Sequence, residues 1–279
     1  MDMTRQHAAR LGAGVAAVAL AWAGALGGLA GGAAAATPPD GFDAQVIGGG
    51  PAAEGQYPWL VGVGAGEGTP YEVQSCGGSV ITQDVVLTAA HCVVDADVDD
   101  LVVLSGSVDL TSDDVVETEV ADVHVAEDYG DPVESASDWA LLLLDESLDV
   151  DPVELAQDPD EYDTFETVGW GSRADGSYPT VAHWVEVPFV DDDTCGDVYA
   201  GEFDDESMVC AGDLEDGGVD ACDGDSGGPL LAPGDDGEQV QVGIVSWGYG
   251  CAEPGLPGVY AEVADFNDPI EQVVEDWED

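Results

Sequence analysis

A serine hydroxyl is a poor nucleophile until a base takes its proton, so a catalytic serine needs an imidazole brought to it from elsewhere in the chain. Two segments of this 279-residue sequence have the residue types for that exchange. In Cys222-Asp223-Gly224-Asp225-Ser226-Gly227-Gly228-Pro229 a serine sits in a glycine-dense loop beside a cysteine, where glycines permit unusual dihedrals and let a substrate backbone approach. In Leu87-Thr88-Ala89-Ala90-His91-Cys92 a histidine ends a β-rich run, again beside a cysteine. The carboxylate that would orient the imidazole is harder to pick, because 60 residues are Asp or Glu. Asp138 has the best context: in Ser137-Asp138-Trp139-Ala140-Leu141-Leu142-Leu143-Leu144 it enters a continuous apolar strand and can be buried against the ring. Asp131 and Asp145 have weaker surroundings, and His124 and His183 read as ordinary strand or surface residues.

These residues need a scaffold of strands. From Val46 onward short β-rich runs alternate with Gly, Pro, Asp and Ser turns: Trp59–Val63, Ser79–Ile81, Val85–Thr88, Leu101–Leu104, Val115–Val125 and Ala140–Leu144. A second series follows at Thr167–Trp170, Ala182–Val187, Leu230–Leu231, Val240–Ser246 and Val259–Val263. Many short strands with frequent turn signals point to antiparallel barrels or a sandwich. Only the tail reads as helical: Ile270, Val273, Val274 and Trp277 recur at helical spacing after Asn267 and Asp268 as caps and Pro269 in the first turn.

Thr-Ala-Ala-His-Cys (88–92) together with Gly-Asp-Ser-Gly-Gly-Pro (224–229), in the order His, Asp, Ser, resembles the trypsin/chymotrypsin family of serine proteases, as an acidic member of bacterial or archaeal type. Asp138 occupies the family's Asp-x-Ala-Leu-Leu pattern, and the resemblance runs through Val46–Asp279. It implies two antiparallel six-stranded β-barrels, lobes 46–157 and 158–279, with the site between them and a C-terminal helix. The implied roles are Ser226 as nucleophile, His91 as general base and then acid, Asp138 as the group fixing the imidazole tautomer, and the N–H groups of Gly224 and Ser226 as an oxyanion hole. The acid six residues before the nucleophile is Asp220, and Ser246-Trp247-Gly248 and Pro257-Gly258-Val259-Tyr260 resemble pocket walls, with Gly248 and Gly258 small enough to admit Arg or Lys. A buried carboxylate in an apolar slot selects a cation. Ala221 adds no hydroxyl beside it, so Arg, which can pair bidentately, is expected to be preferred over Lys. By the same resemblance the disulfides are Cys76–Cys92, Cys195–Cys210 and Cys222–Cys251. Val46-Ile47-Gly48-Gly49 resembles a mature N-terminus whose new ammonium pairs with Asp225. The preceding residue is Gln45, so an Arg/Lys-specific enzyme does not make that cut, and a separate activating protease is expected.

Composition bounds the setting. Arg5 and Arg10 precede an apolar stretch from Leu11 to Leu29 and small residues at Ala33–Ala36, the order of a secretory signal peptide over 1–36, followed by a short propeptide over 37–45. A retained membrane anchor is the alternative, which the small-residue exit disfavours. All six cysteines lie in the exported part, an even count suited to disulfides. There are 60 acids, 3 arginines and no lysine; dropping Asp2, Asp40, Asp43, Arg5 and Arg10 leaves 57 acids against Arg173 alone, a formal −56. Such a surface repels nucleic acid and anionic lipid and suggests adaptation to high salt, where self-repulsion is screened. Carboxylates in Asp109–Glu119 are weak grounds for calcium in so acidic a chain. No metal or cofactor is expected, and the partners expected of a secreted, extracellular monomer are peptide or protein substrates. The rival readings are a catalytically silent homologue acting as a binding module and a hydrolase of the same fold with non-basic specificity.

Overall fold

Continuous apolar runs make strands covered on both faces, and alternating runs make strands wet on one. Both kinds occur in the computed structural model, which describes residues 49–157, 162–234 and 237–278. The signal peptide, the propeptide and Val46 lie outside the described residues. After strand β1 (Gly50–Pro51), the first barrel is built from β2 (Leu60–Ala65), a single helical turn α1 (Pro70–Val73), β3 (Gln74–Thr82), β4 (Val85–Thr88), β5 (Leu101–Ser105), β6 (Val116–Val125) and β7 (Ala140–Leu144). It closes antiparallel in the order β2-β3-β4-β7-β6-β5. All four residues of β4 are buried, whereas in β6 Thr118 and Val120 turn inward and Glu117, Glu119 and Asp122 face water.

The second barrel follows β8 (Glu154–Leu155) and comprises β9 (Thr164–Gly169), β10 (His183–Val190), then a short helix α2 (Asp192–Val198), β11 (Met208–Ala211), β12 (Pro229–Pro233), β13 (Gln239–Trp247) and β14 (Gly258–Glu262). Pairing runs β10-β11-β14-β13-β12-β9 and returns to β10, so this ring is also six-stranded, closed and antiparallel. Strand β1 adds to β10, and β8 lies parallel to β13 outside the ring. The chain ends in α3 (Val263–Glu278). Each barrel has its own apolar centre, around Val61, Val103 and Leu142 in one and Phe165, Val187 and Leu230 in the other. A third cluster joins Leu87 and Leu141 of the first barrel to Ile244 and Ala261 of the second and to Phe266 and Ile270 of α3. Between the barrels, the fully buried Ser79 hydroxyl donates to Gln241 Oε1 at 2.5 Å.

Helix α3 starts earlier than its periodicity suggests. Asn267 and Asp268 are interior to it, Asn267 spends its amide on the Ala156 carbonyl at 2.8 Å, and Pro269 lies inside the helix. Helix α2 is a second correction, since it has too few residues to show a period. Its start is fixed by Asp191, whose carboxylate accepts from the Thr194 N–H at 3.0 Å.

Candidate active site

Strands β4 and β7 pair antiparallel with Thr88 opposite Ala140, so the chain leaving β4 and the chain entering β7 emerge at one end. His91 sits three residues beyond Thr88 on a one-turn 3₁₀ helix, Ala90–Cys92, and Asp138 two residues before Ala140. The Asp138 carboxylate is almost wholly buried, its side chain 1% exposed against 34% for the imidazole. One carboxylate oxygen accepts from the His91 backbone N–H at 2.9 Å, and the other lies 2.7 Å from Nδ1. A carboxylate only accepts, so that bond requires Nδ1 to be the donor and, in the neutral ring, leaves Nε2 with a lone pair able to take a proton. The Ser246 hydroxyl donates to the same oxygen at 2.5 Å. Ser137 holds the turn with φ +52°, a left-handed value that costs a non-glycine residue about 1 kcal/mol. Its hydroxyl bonds Asp128 at 2.9 Å, anchoring the strained residue that turns Asp138 inward.

The serine loop docks onto the same end. The Ser226 carbonyl accepts from the Gly77 N–H at 2.7 Å, and Gly227 donates to Val245 at 2.8 Å. Gly227 has φ +79°, and a Cβ there would lie 2.2 Å from Thr88 Oγ1, so only glycine lets the loop reach the His91 segment. Cys92 Sγ lies 3.7 Å from the Ser226 carbonyl oxygen and 3.8 Å from His91 Nε2, bringing the Ser226 loop and the imidazole around one sulfur. Among the described residues, the N–H groups of Gly224 and Ser226 donate to no protein acceptor. Gly224 takes φ +98° under the Tyr178 ring, and its carbonyl is held by Gln74 Nε2 at 3.0 Å. Two free donors beside a serine are what a developing oxyanion needs.

Beneath Ser226 opens a cavity of about 170 Å³ that Asp220, Ser246, Trp247, Gly248 and Gly258 all line. A Cβ on Gly248 would lie 3.8 Å from Gly258 Cα, and one on Gly258 would lie 2.6 Å from Asp220 Oδ1, so larger residues at 258 would plug the floor. Asp220 is 5% exposed and accepts from the Ala252 N–H at 2.8 Å. Burial pushes its pKa up to about 7, against the lowering by backbone N–H bonds from Ala252 and Ala221. Asp225 points away from this cavity, with its carboxylate accepting from Gly171 at 2.7 Å and Cys222 at 3.0 Å. Burial pushes it up to about 6, and no cation is paired with it among the described residues. Its expected partner, Val46, is outside them.

The three disulfides Cys76–Cys92, Cys195–Cys210 and Cys222–Cys251 are formed. The first ties the His91 turn to β3, and the third closes the side of the cavity. Cys76, His91 and Cys92 are the one group among the described residues whose ligand atoms converge as a metal site would, but the two sulfurs are bonded to each other and offer no thiolate. The bond from Ser246 to Asp138 and the bracing of Gly224 by Gln74 and Tyr178 are absent from the sequence reading, because neither follows from a local pattern. Asp131 and Asp145 are exposed and bond no imidazole.

The family model described as Trypsin matches residues 46–270. Over 229 residues the chain is 39% identical to a trypsin-like protease of Streptomyces glaucescens, covering 80% of each sequence. It is 38% identical to a trypsin of Saccharopolyspora erythraea over 72% of this chain and 88% of that one. Against Trypsin-1 of Astacus astacus the identity is 36%, over 78% of this chain and 95% of the relative.

Proposed function

The chain belongs to the trypsin family of serine proteases and is a serine endopeptidase, and from that premise we propose that it cleaves peptide bonds after arginine, less well after lysine, through an acyl-enzyme on Ser226. Ser226 Oγ attacks the scissile carbonyl while His91 Nε2 takes its proton. The carbonyl oxygen becomes an oxyanion facing the N–H groups of Gly224 and Ser226. Collapse of the adduct breaks the C–N bond, and His91 hands its proton to the leaving amine. Water then repeats the sequence on the ester, releasing the acid and restoring the serine. Asp138 balances the imidazolium from its buried position.

The observation that carries the specificity is one buried carboxylate, Asp220, in a glycine-walled cavity directly under the nucleophile, with no cation paired to it among the described residues. Arg fits best, since a guanidinium can bond both carboxylate oxygens and Ala221 gives an ammonium no hydroxyl to share.

Asp225 supports a zymogen. A buried carboxylate held, among the described residues, by two N–H groups and no cation is an unfinished arrangement, and an ammonium at Val46, freed by another protease cutting after Gln45, would complete it. Residues 1–36 would direct secretion and leave before that cut. No described helix is long and apolar enough to cross a membrane. The exported enzyme would act as a monomer on protein substrates in a salty medium, at −56 formal charge from Val46 onward.

Treatment of the active form with an organophosphonate, followed by N-terminal sequencing and mapping of the adduct, tests the scheme. The label is expected on Ser226 in a chain starting at Val46, absent from Ser226→Ala. kcat/KM is expected to be severalfold higher on Arg than on matched Lys peptides. Label elsewhere, proteolysis by Ser226→Ala, or equal rates on Leu and Arg peptides would refute it.

A further inference from the structure

Exposed acids such as Asp175 and Asp191 bond within their own turns, to amides two or three residues further on. Asp128 does something else. It is exposed too, yet its carboxylate accepts from the Ser137 hydroxyl at 2.9 Å, nine residues away. Ser137 is only 3% exposed and immediately precedes Asp138. An exposed side chain thus grips a buried one, next to the carboxylate that holds the imidazole.

The grip falls where the backbone is least at ease. Ser137 has φ +52°, a region that any residue with a Cβ enters at a cost. The Trp139 N–H donates to the Ser137 carbonyl at 2.8 Å, closing a three-residue turn centred on Asp138. On the outer side the Gly130 N–H donates to the Ala136 carbonyl at 2.9 Å, and at the base the Ala126 N–H donates to the Trp139 carbonyl at 3.1 Å. Both flanks of Ser137 are therefore pinned by backbone bonds, and the residue itself is held by its hydroxyl. Relaxation of Ser137 to negative φ would rotate the peptide that leads into Asp138. That rotation carries the carboxylate away from the His91 N–H and Nδ1, now 2.9 and 2.7 Å from its oxygens. The bond to Asp128 opposes it. We infer that Asp128 is a positioning residue of the cleavage reaction, acting through Ser137 to keep Asp138 in line with the imidazole while touching neither substrate nor reacting atoms. This rests on the reading of Asp138 as the group that orients His91.

The test measures kcat and KM on one Arg peptide, per titrated active site, in the active enzyme. Asp128→Ala is expected to lower kcat about tenfold and leave KM within about twofold, because the imidazole loses its alignment while the Asp220 cavity is untouched. Asp128→Asn keeps an acceptor for the hydroxyl and is expected to recover most of that loss. Glu127→Ala removes the neighbouring exposed charge and is expected to leave kcat as it is. Ser137→Ala keeps the strain and loses the bond, so it should match Asp128→Ala. Ser137→Gly is at ease in the left-handed region and should fall less. Adding Asp128→Ala to Ser137→Gly should then cost nothing further. Unaltered kcat in Asp128→Ala, an Asn variant as slow as the Ala variant, or the same loss from Asp128→Ala in the Ser137→Gly background overturns the proposal. Should Asp128→Ala fail to fold, Ser137→Ala against Ser137→Gly makes the same comparison, and equal losses in those two overturn it. Failure of the underlying reading shows differently, as an Asp138→Asn variant with unaltered kcat.

Discussion

Asp220 and Asp225 are buried carboxylates five residues apart with opposite outlooks, one lining the cavity beside Ser226 and the other against Gly171 and Cys222. Burial raises both, Asp220 to about 7 and Asp225 to about 6. A carboxylate raised by folding takes up a proton as the chain folds, so these groups lower the stability of the uncut chain as pH climbs from the ordinary carboxylate range toward 7. A cation reverses the preference, because only the ionised form pairs with it. At pH 6 a guanidinium ligand must therefore displace a proton from Asp220, and its affinity should strengthen as pH rises and level off above about 7. Calorimetry at pH 6 in buffers of different ionisation enthalpy should detect release approaching one proton. Asp220→Asn should lose both the release and most of the affinity, and pH-independent affinity in the unaltered enzyme would remove Asp220 from the recognition. The candidates at 91, 138 and 226 were legible in the sequence because they stand in short, ordered strings, and Asp220 only through the resemblance to the family. Ser246 was legible as a wall but not as the donor to Asp138, a contact spanning 108 positions that no local pattern announces.

Helix α3 shows both the reach of periodicity and where it stops. The recurrence Ile270, Val273, Val274, Trp277 marks the apolar face that meets the inter-barrel cluster. The true start at Val263 is hidden because β14 runs into the helix without a break, while Asn267, Asp268 and Pro269 imitate a beginning. Strand β11 escaped notice because its four buried residues, Met-Val-Cys-Ala, give no alternation and, unlike the Val-Val-Leu-Thr of β4, carry a single β-branched residue. Since α3 covers strands from both barrels, its apolar contacts should matter to the whole fold and little to the chemistry. Phe266→Ala is expected to cost about 3–5 kcal/mol of stability, seen as a lower denaturant midpoint with an unchanged slope. kcat per folded molecule should stay within about twofold on an Arg peptide. A large fall in kcat without loss of stability would mean that α3 shapes the site directly.

At the scale of the whole molecule the dominant quantity is charge. From Val46 onward 57 acids face one arginine, and among the described residues no arginine is paired with an acid. Surface carboxylates therefore repel one another with only Arg173 interleaved, and dissolved cations must do nearly all the screening. The Debye length falls from about 10 Å at 0.1 M salt to about 3 Å at 1 M, so molar salt screens repulsion that dilute buffer leaves in place. Melting temperature should accordingly rise by roughly 5–10 °C from dilute buffer to molar NaCl at pH 7.5, corresponding to about 2–3 kcal/mol in a domain of this size. Salts also stabilise many proteins by exclusion from the surface, an effect that does not depend on carboxylate ionisation. Repeating the measurement near pH 4 separates the two, because partial protonation should shrink the rise if repulsion causes it. A melting temperature unmoved by salt at pH 7.5, or a rise equally large at both pH values, would show that the acidic surface does not set the stability of this enzyme.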